Sequence, residues 1–491
     1  MAHRQREDEE KYDVGSRFAI PDLEDLVPVG GRIEHGLVHL DSQYFDTSEG
    51  HLLAHGVTLR CRSGDTDTGW QLKVPNGKAR TEVRLPANGT TVPDELARMV
   101  RGVSLGQPLV EVARVRTERT VQRIQGSNGA TVVEVADDQV HAAALGAEAV
   151  LTQWRELEVE LGSGAEADLD AVRQRLLDAG AQRSKSSSKL ARALDVEPDR
   201  EPRDTTYGRL VTDYLRQQHA ELVAGDVAIR QGRDAIHATR VATRRIRSTL
   251  RIFGALFDPR RARQLDAELA WYAEMLGDVR ERQVQRARFA EAIHDIPDDL
   301  LTGPVADDVG EWLQLELHER TGNLRRALDN ARYLQLLAEV RMWAQAAPFT
   351  NAADGRPSAL QPLIRRARRK ARKRIRQAVA TAESMSSATG ESVDHVDVAL
   401  HRARKAARRA RYAVELAAPV GRPKHAKKII KRYKGIQDLL GEHQDAVVAA
   451  QLLRDHAARA GMTPTITYGL LYAREEATAQ RTRDIAVKTL H

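Results

Sequence analysis

The eight residues 154-WRELEVEL-161 alternate so strictly that an extended strand suits them: Glu156, Glu158 and Glu160 share one face, Leu157 and Val159 the other. Segments 57-VTLRCR-62, 70-WQLKVP-75, 80-RTEVRLP-86 and 131-TVVEVADDQV-140 alternate in the same way between Gly, Pro, Asn and Asp breaks. Near the start, 7-EDEEK-11 aligns Glu7, Glu9 and Lys11 on one face. A one-residue slip would present Asp8 and Glu10 instead, and Lys11 favours the first register. The charged faces continue through Arg60, Arg62, Lys73, Arg80, Glu82 and Arg84, with Arg119 and Lys189 downstream. Apolar core cannot accept such a face without several kcal/mol, roughly, per unpaired ion. The opposite faces (Val57, Leu59, Leu72, Val74, Val83, Leu85, Leu157, Val159) supply apolar residues for packing outside. An antiparallel barrel with a polar lumen accounts for both.

Helical periodicity in this half is confined to pieces such as 94-DELARMVRGV-103 and 168-DLDAVRQRLLDAG-180, the latter read as capped by Asp168 and ended by Gly180. An α+β domain is therefore expected over residues 1–195. A polar linker with two prolines follows at 196–206. Beyond 207 long Ala/Leu/Arg-rich stretches predict an all-α domain to residue 491, broken mainly at 297–304, 348–357 and 419–423. A repeat organises it. His237, Arg240, Arg244, Arg245 and Arg247 match His401, Arg404, Arg408, Arg409 and Arg411 at an offset of 164, and 276-LGDVRERQV-284 matches 440-LGEHQDAVV-448 at the same offset. Two pseudo-symmetric halves, about 207–345 and 358–485, follow.

The net charge of +7 on 491 residues hides an asymmetry: residues 1–200 carry 25 basic and 33 acidic groups, the remainder 51 and 36. The basic half should attract polyanions. His237, Arg240, Arg244, Arg247 and Arg251 form one helix stripe, which His401, Arg404, Arg408 and Arg411 redraw and Lys405 and Arg409 widen. Like charges at that spacing cost some tenths of a kcal/mol, roughly, per pair, and a bound anion removes the cost. Two further runs, 365-RRARRKARKRIR-376 and 424-KHAKKIIKRYK-434, contain no acid. Aromatics are scarce, 4% of the chain, and Tyr433 alone falls within these runs, short of the series of rings that base-stacking requires; no zinc-finger, RNA-recognition or Gly-rich phosphate loop occurs, so nucleic acid is not the expected partner. A single cysteine, Cys61, excludes an internal disulfide and a cysteine zinc site. No apolar run is long enough to span a membrane, and the charged start, MAHRQREDEEKYDV, lacks a secretory pattern; a cytoplasmic location is expected.

Glu7-x-Glu9-x-Lys11, 44-YFDT-47 with Leu52 and Gly56, 59-LRCR-62, 72-LKVP-75 and 156-ELEVEL-161 together resemble the CYTH superfamily, which includes triphosphate tunnel metalloenzymes. The resemblance implies a tunnel holding a triphosphate, with Glu7, Glu9, Glu158 and Glu160 as ligands of Mg2+ or Mn2+. Lys11, Arg60, Arg62, Lys73, Arg84, Arg119 and Lys189 would bind phosphate. Glu7, Glu9 and Lys11 would serve catalysis, and Glu156 competes with Glu160 as a ligand. The repeated His-x-x-Arg helices and Leu-Gly motifs resemble the CHAD domain, a helical module associated with inorganic polyphosphate. That likeness implies two four-helix bundles whose His237, Arg240, Arg244, Arg247, His401, Arg404, Lys405, Arg408 and Arg411 bind polyphosphate. A metal-dependent inorganic triphosphatase carrying a polyphosphate-binding module is the leading expectation, with association with polyphosphate granules. A non-catalytic polyphosphate-binding protein and an organic triphosphatase or adenylate cyclase are the alternatives.

Overall fold

The computed structural model describes residues 3–7, 9–64, 68–76, 79–87, 89–146, 148–196, 206–301, 305–384, 391–460 and 466–490, without the side chains of 3–7, 76, 79, 80, 305, 306, 391–394, 459 and 460. The chain divides into two compact units, Met1–Glu201 and Pro202–His491.

In the first unit the strands are β1 (His3–Glu7), β2 (Glu9–Asp13), β3 (Arg32–Asp46), β4 (Thr58–Ser63) and β5 (Gly69–Asn76). They continue with β6 (Ala79–Leu85), β7 (Val110–Gln125), β8 (Thr131–Ala144), β9 (Val150–Leu161) and β10 (Gln182–Arg183). Helices α1 (Asp94–Met99), α2 (Glu166–Asp178) and α3 (Lys189–Ala193) accompany them. All belong to one antiparallel sheet of order β1-β6-β5-β4-β3-β7-β8-β9-β2-β10. One residue separates β1 from β2 along the chain, yet β1 pairs with β6 and β2 with β9. The start of the chain thereby joins the two ends of the sheet into a tunnel.

The alternation sorts as the composition demands. Leu59, Leu72, Val83, Leu157 and Val159 are fully buried outside the lumen. Tyr12, Leu157, Val159, Val133 and Val135 pack against Leu169, Val172 and Leu176 of α2. Helix α2 begins at Glu166, two residues earlier than its sequence suggests. Asp168 is its third residue, and its carboxylate accepts from the backbone N–H of Ala165 at 2.7 Å, capping from inside the first turn. Leu190 and Ala193 of α3 join Tyr44, Val112, Ala113, Val115, Val140 and Ala142 in an apolar cluster. Val115 and Val140 lie on the same faces of β7 and β8 as Arg119 and Asp138, so the lumen turns from polar to apolar beneath α3.

The second unit contains α4 (Tyr207–Arg230), α5 (Ile236–Ile252), α6 (Pro259–His294), α7 (Val305–Leu328) and α8 (Ala331–Ala346). After them come α9 (Gln361–Ser384), α10 (Glu391–Ala417), α11 (Pro423–Ala460) and α12 (Ile466–Thr489). The matched stripes lie on α5 and α10, the matched Leu-Gly motifs on α6 and α11, so α4–α7 correspond in order to α9–α12. Helix α8 is additional and packs on α4 and α6. Local signals start the helices sharply. The Asp258 carboxylate accepts from Arg260 and Arg261 N–H groups ahead of Pro259, and Thr206 and Asn330 cap α4 and α8. Helices α5 and α10 meet between the two halves. Among the described residues no helix is long and apolar enough to cross a membrane.

Candidate functional site

The lumen is assembled by cross-strand register. Tyr44 of β3 stands opposite Arg60 of β4, Arg60 opposite Gln71 of β5, and Gln71 opposite Arg84 of β6. One row along, Thr58, Lys73 and Glu82 are aligned. Across the tunnel, Glu9 faces Glu160 and Lys11 faces Glu158 on the β2–β9 pair. The resulting cavity, about 110 Å³, is lined among the described residues by seven cations (Lys11, Arg60, Arg62, Lys73, Arg84, Arg119, Lys189) and three carboxylates (Glu9, Glu158, Glu160). Tyr44, Thr58 and Ser188 complete the wall. The structure thus brings these ten charged residues singled out from sequence around one cavity, whereas Glu82 and Glu156 are not in its described lining and Glu7 remains to be placed. That residue pairs in register with Arg80, and its side chain lies outside the described residues, as does Asp8. Glu10 points outward to Arg173 at 2.7 Å, so β2 takes the register that turns Glu9 and Lys11 inward.

Charge in the lumen is divided between two walls. On β4–β6 the cations are held by polar neighbours: Arg60 donates to Gln71 Oε1 at 2.6 Å and to Tyr44 Oη at 3.2 Å, and Arg84 to Glu82 Oε2 at 2.6 Å. Burial would raise the Tyr44 phenol, but Arg60 and Arg62 outweigh it and bring it below its usual value. On the opposite wall Lys11 bridges Glu158 and Glu9, the latter at 2.8 Å. Lys189 Nζ lies 2.7 Å from an oxygen of each of Asp138, Glu156 and Glu158. Arg119 adds a paired contact to Asp138 and another to Glu158. Burial alone would raise the Glu158 carboxyl, yet Lys11, Lys189 and Arg119 hold it well below the carboxylate range. Lys11 shows the converse: burial disfavours its charge, but Glu158 and Glu9 keep the ammonium protonated far above neutrality.

Two carboxylate groups therefore differ in what they can hold. Asp138, Glu156 and Glu158 offer oxygens within 4.8 Å of one another, but the Lys189 ammonium already sits against all three. Glu9 and Glu160 stand opposite each other in the β2–β9 register and both line the lumen, with the Lys11 ammonium 2.8 Å from Glu9. Their all-oxygen donor set fits a hard divalent ion such as Mg2+ or Mn2+. Glu156 lies beneath the lumen, 2% exposed, accepting from Trp154 Nε1 at 2.6 Å.

In the helical unit a cleft of about 460 Å³ opens between α5, α6, α10 and α11. His237, Arg240 and Arg244 enter from α5, and His401, Arg404, Lys405 and Arg408 from α10. Arg280, Glu281, Gln285, Gln444 and Asp445 complete the described polar lining. The repeated glycines have a steric purpose: a Cβ at Gly277 would come within 3.2 Å of the Arg240 guanidinium, and one at Gly441 within 3.1 Å of that of Arg404. Both arginines lie flat across the neighbouring helix. Burial, reinforced by Arg408 and Arg240, pushes the Arg244 guanidinium down to about 8, and burial with Arg404 and Arg240 brings Arg408 to about 10. Because guanidinium stays charged in proteins, these shifts reflect the cost of burying cations, with a smaller part from their mutual repulsion, and an anion in the cleft would offset both. Burial and Arg280 hold His237 below its usual value; burial and Lys405 do the same to His401, with a Gln444 hydrogen bond opposing them.

Arg247 and Arg411 are not brought into this cleft. Arg247 donates to Asp266 at 3.1 Å, and Arg411 lies 3.5 Å from Glu415, one turn on. Their stripe positions drift off the facing helix, where carboxylates neutralise them. Conversely, the sequence reading did not single out Asp138, Tyr44 or Arg280. Asp138 shares its strand face with Ala136 and Val140, which disguises a lumen position as core. Tyr44 does stand in 44-YFDT-47, but its motif gives no orientation.

Comparison with known proteins follows the same division. A CYTH domain model matches residues 19–194 and a CHAD domain model matches 213–454. The uncharacterized protein Rv2226 of Mycobacterium tuberculosis (strain ATCC 25618 / H37Rv) is 34% identical over 98% of this chain and 95% of its own. Among solved structures, PptA from Streptomyces chartreusis aligns at 25% identity and TM-score 0.48, covering 58% of this chain and 99% of that one. The CHAD domain from the plant Ricinus communis aligns at 22% identity and TM-score 0.45, covering 59% and 92%. The full-length match makes this chain a member of the same family as the mycobacterial protein, and in this chain a CYTH domain is followed by a CHAD domain.

Proposed function

We propose that the tunnel is a metal-dependent phosphohydrolase acting on inorganic triphosphate or the end of a polyphosphate chain, and that the helical cleft binds polyphosphate. The observation that carries this reading is the single lumen in which cations line one wall and the Glu9–Glu160 pair the other. Phosphoryl transfer asks a protein chiefly for positioning and charge neutralisation. Arg60, Arg62, Lys73 and Arg84 grip successive phosphate oxygens and stabilise the departing phosphate. Lys11, fixed between Glu9 and Glu158, remains charged and therefore draws electron density from the terminal phosphoryl rather than acting as a base. Glu9 and Glu160, with Glu7 as a further candidate, would hold a divalent ion, which when bound would supply neutralisation of phosphoryl charge and a lowered pKa for water. Glu158, engaged by three cations, keeps those cations in place. In the cytoplasm, long polyphosphate or its granules would be the partner of the helical cleft.

Phosphate release from tripolyphosphate with Mg2+ or Mn2+ tests the proposal, with Glu9→Ala and Lys11→Ala each expected to lose about 10²-fold or more. No release, or variants as active as the parent, overturns it. Faster turnover of ATP or thiamine triphosphate would point to an organic triphosphatase. Salt-sensitive binding of long polyphosphate without hydrolysis would leave a binding protein.

A further inference from the structure

The central cleft does not use the most basic stretch of the chain, 365-RRARRKARKRIR-376 on α9. Arg366 and Lys370 from that stretch line a separate cleft of about 260 Å³ with Arg409 of α10 and Arg251 of α5, over a floor that includes Ile252, Leu363 and Ala406. We propose that this cleft is a second phosphate-chain subsite, continuous with the central one, holding the part of a long inorganic polyphosphate that the central cleft leaves outside. The inference rests on the reading of the helical unit as a polyphosphate binder.

Continuity follows from helix geometry. On α10, Lys405 lines the central cleft and Arg409, one turn later, lines the second. On α5, Arg244 and Arg251 are likewise divided, seven residues or about 10 Å apart along the axis. Burial first, then Arg408, Arg409, Arg244 and Arg251, lowers the Lys405 ammonium, so Lys405 senses cations of both clefts. Among the described residues no carboxylate lines the second cleft. Asp266 reaches its edge, but Arg247 and Arg251 share it. The repeat shows the excess by contrast: at the offset of 164 the counterpart of Arg251 is Glu415, and it pairs at 3.1 Å with Arg245, the counterpart of Arg409. The acid present at the equivalent place is replaced by Arg251 in this cleft. The lining also lacks an aromatic ring on which a nucleobase could stack, which favours an inorganic chain over single-stranded nucleic acid.

The test titrates the full chain with long-chain polyphosphate and, separately, with tripolyphosphate at several salt concentrations. The exposed pair Arg366→Gln/Lys370→Gln should weaken long-chain binding about tenfold at moderate salt. It should reduce the salt slope by about 1.4, roughly 0.7 per lost contact, and leave tripolyphosphate binding unchanged. Lys427→Gln/Lys428→Gln removes the same charge elsewhere and should change long-chain affinity less than twofold. Equal losses from both pairs, or a loss confined to duplex DNA, would overturn the proposal. Arg244→Gln/Arg408→Gln separates the two readings. If that variant loses long-chain binding while Arg366→Gln/Lys370→Gln does not, the second subsite alone fails; if it retains full affinity, the reading of the central cleft fails.

Discussion

Replacing Lys189 by methionine isolates the energetic role of one ammonium. Its side chain is 5% exposed and lies 2.7 Å from Asp138, Glu156 and Glu158, whose side chains are 0%, 3% and 13% exposed. Methionine preserves most of the volume and apolar stem, so the loss is electrostatic. Arg119 and Lys11 still serve Asp138 and Glu158, but Glu156 loses its nearest cation. Removing one partner from a buried ionic network costs about 3–5 kcal/mol. In metal-free buffer, amide hydrogen exchange of peptides covering β8 and β9 should accelerate by roughly two to four orders of magnitude in the Lys189→Met chain. Adding Glu156→Gln turns one of three crowded carboxylates neutral and should restore about a third of the loss, ~1–2 kcal/mol. Acceleration below about tenfold in Lys189→Met, or no recovery in the double variant, would refute the claim that Lys189 holds the acidic wall together.

Other expectations concern the helical unit. Gly277→Ala and Gly441→Ala should gain up to about 1 kcal/mol in helix propensity while displacing Arg240 or Arg404, so thermal stability holds or rises as polyphosphate affinity falls. Calorimetry and titration of the same samples check both signs. Arg244→Gln removes a buried cation from a like-charged cluster; its melting temperature without polyphosphate should rise by about 2 °C, and the ligand-induced increase should shrink. Burial first, with neighbouring cations, holds the two cleft histidines below their usual value and so favours the neutral form, whereas a bound polyanion favours their protonated forms. Binding then takes up protons, and affinity should rise as pH falls from about 7 to about 5, a trend that His237→Gln/His401→Gln flattens.

The tunnel was legible because strand alternation has a period of two: once Glu158 is assigned inward, Glu156 and Glu160 follow, and the apolar residues between them confirm the choice. What alternation conceals is depth. It does not distinguish Glu160, on the lumen wall, from Glu156, buried beneath it against Lys189. On α5 and α10 the limitation is angular. A stripe at three- and four-residue spacing drifts around the helix, so the residues nearest His237 and His401 reach the cleft, while Arg247 and Arg411 rotate toward Asp266 and Glu415. The glycine of each Leu-Gly motif was visible as a repeat, but its purpose needed the position of an arginine on another helix.

The division of the opening segment between two walls makes the lumen a product of long-range pairing. Lys11 meets Glu158 across 147 residues of chain, and β1 meets β6 across a shorter but still distant interval. Contacts of such separation form late, after the loop-closure entropy has been met. Until then β6 and β9 present open edges to any passing strand. Closure of the barrel and assembly of its lumen are thus one event: a molecule that has not closed has neither the Glu9–Glu160 pair nor protected edges.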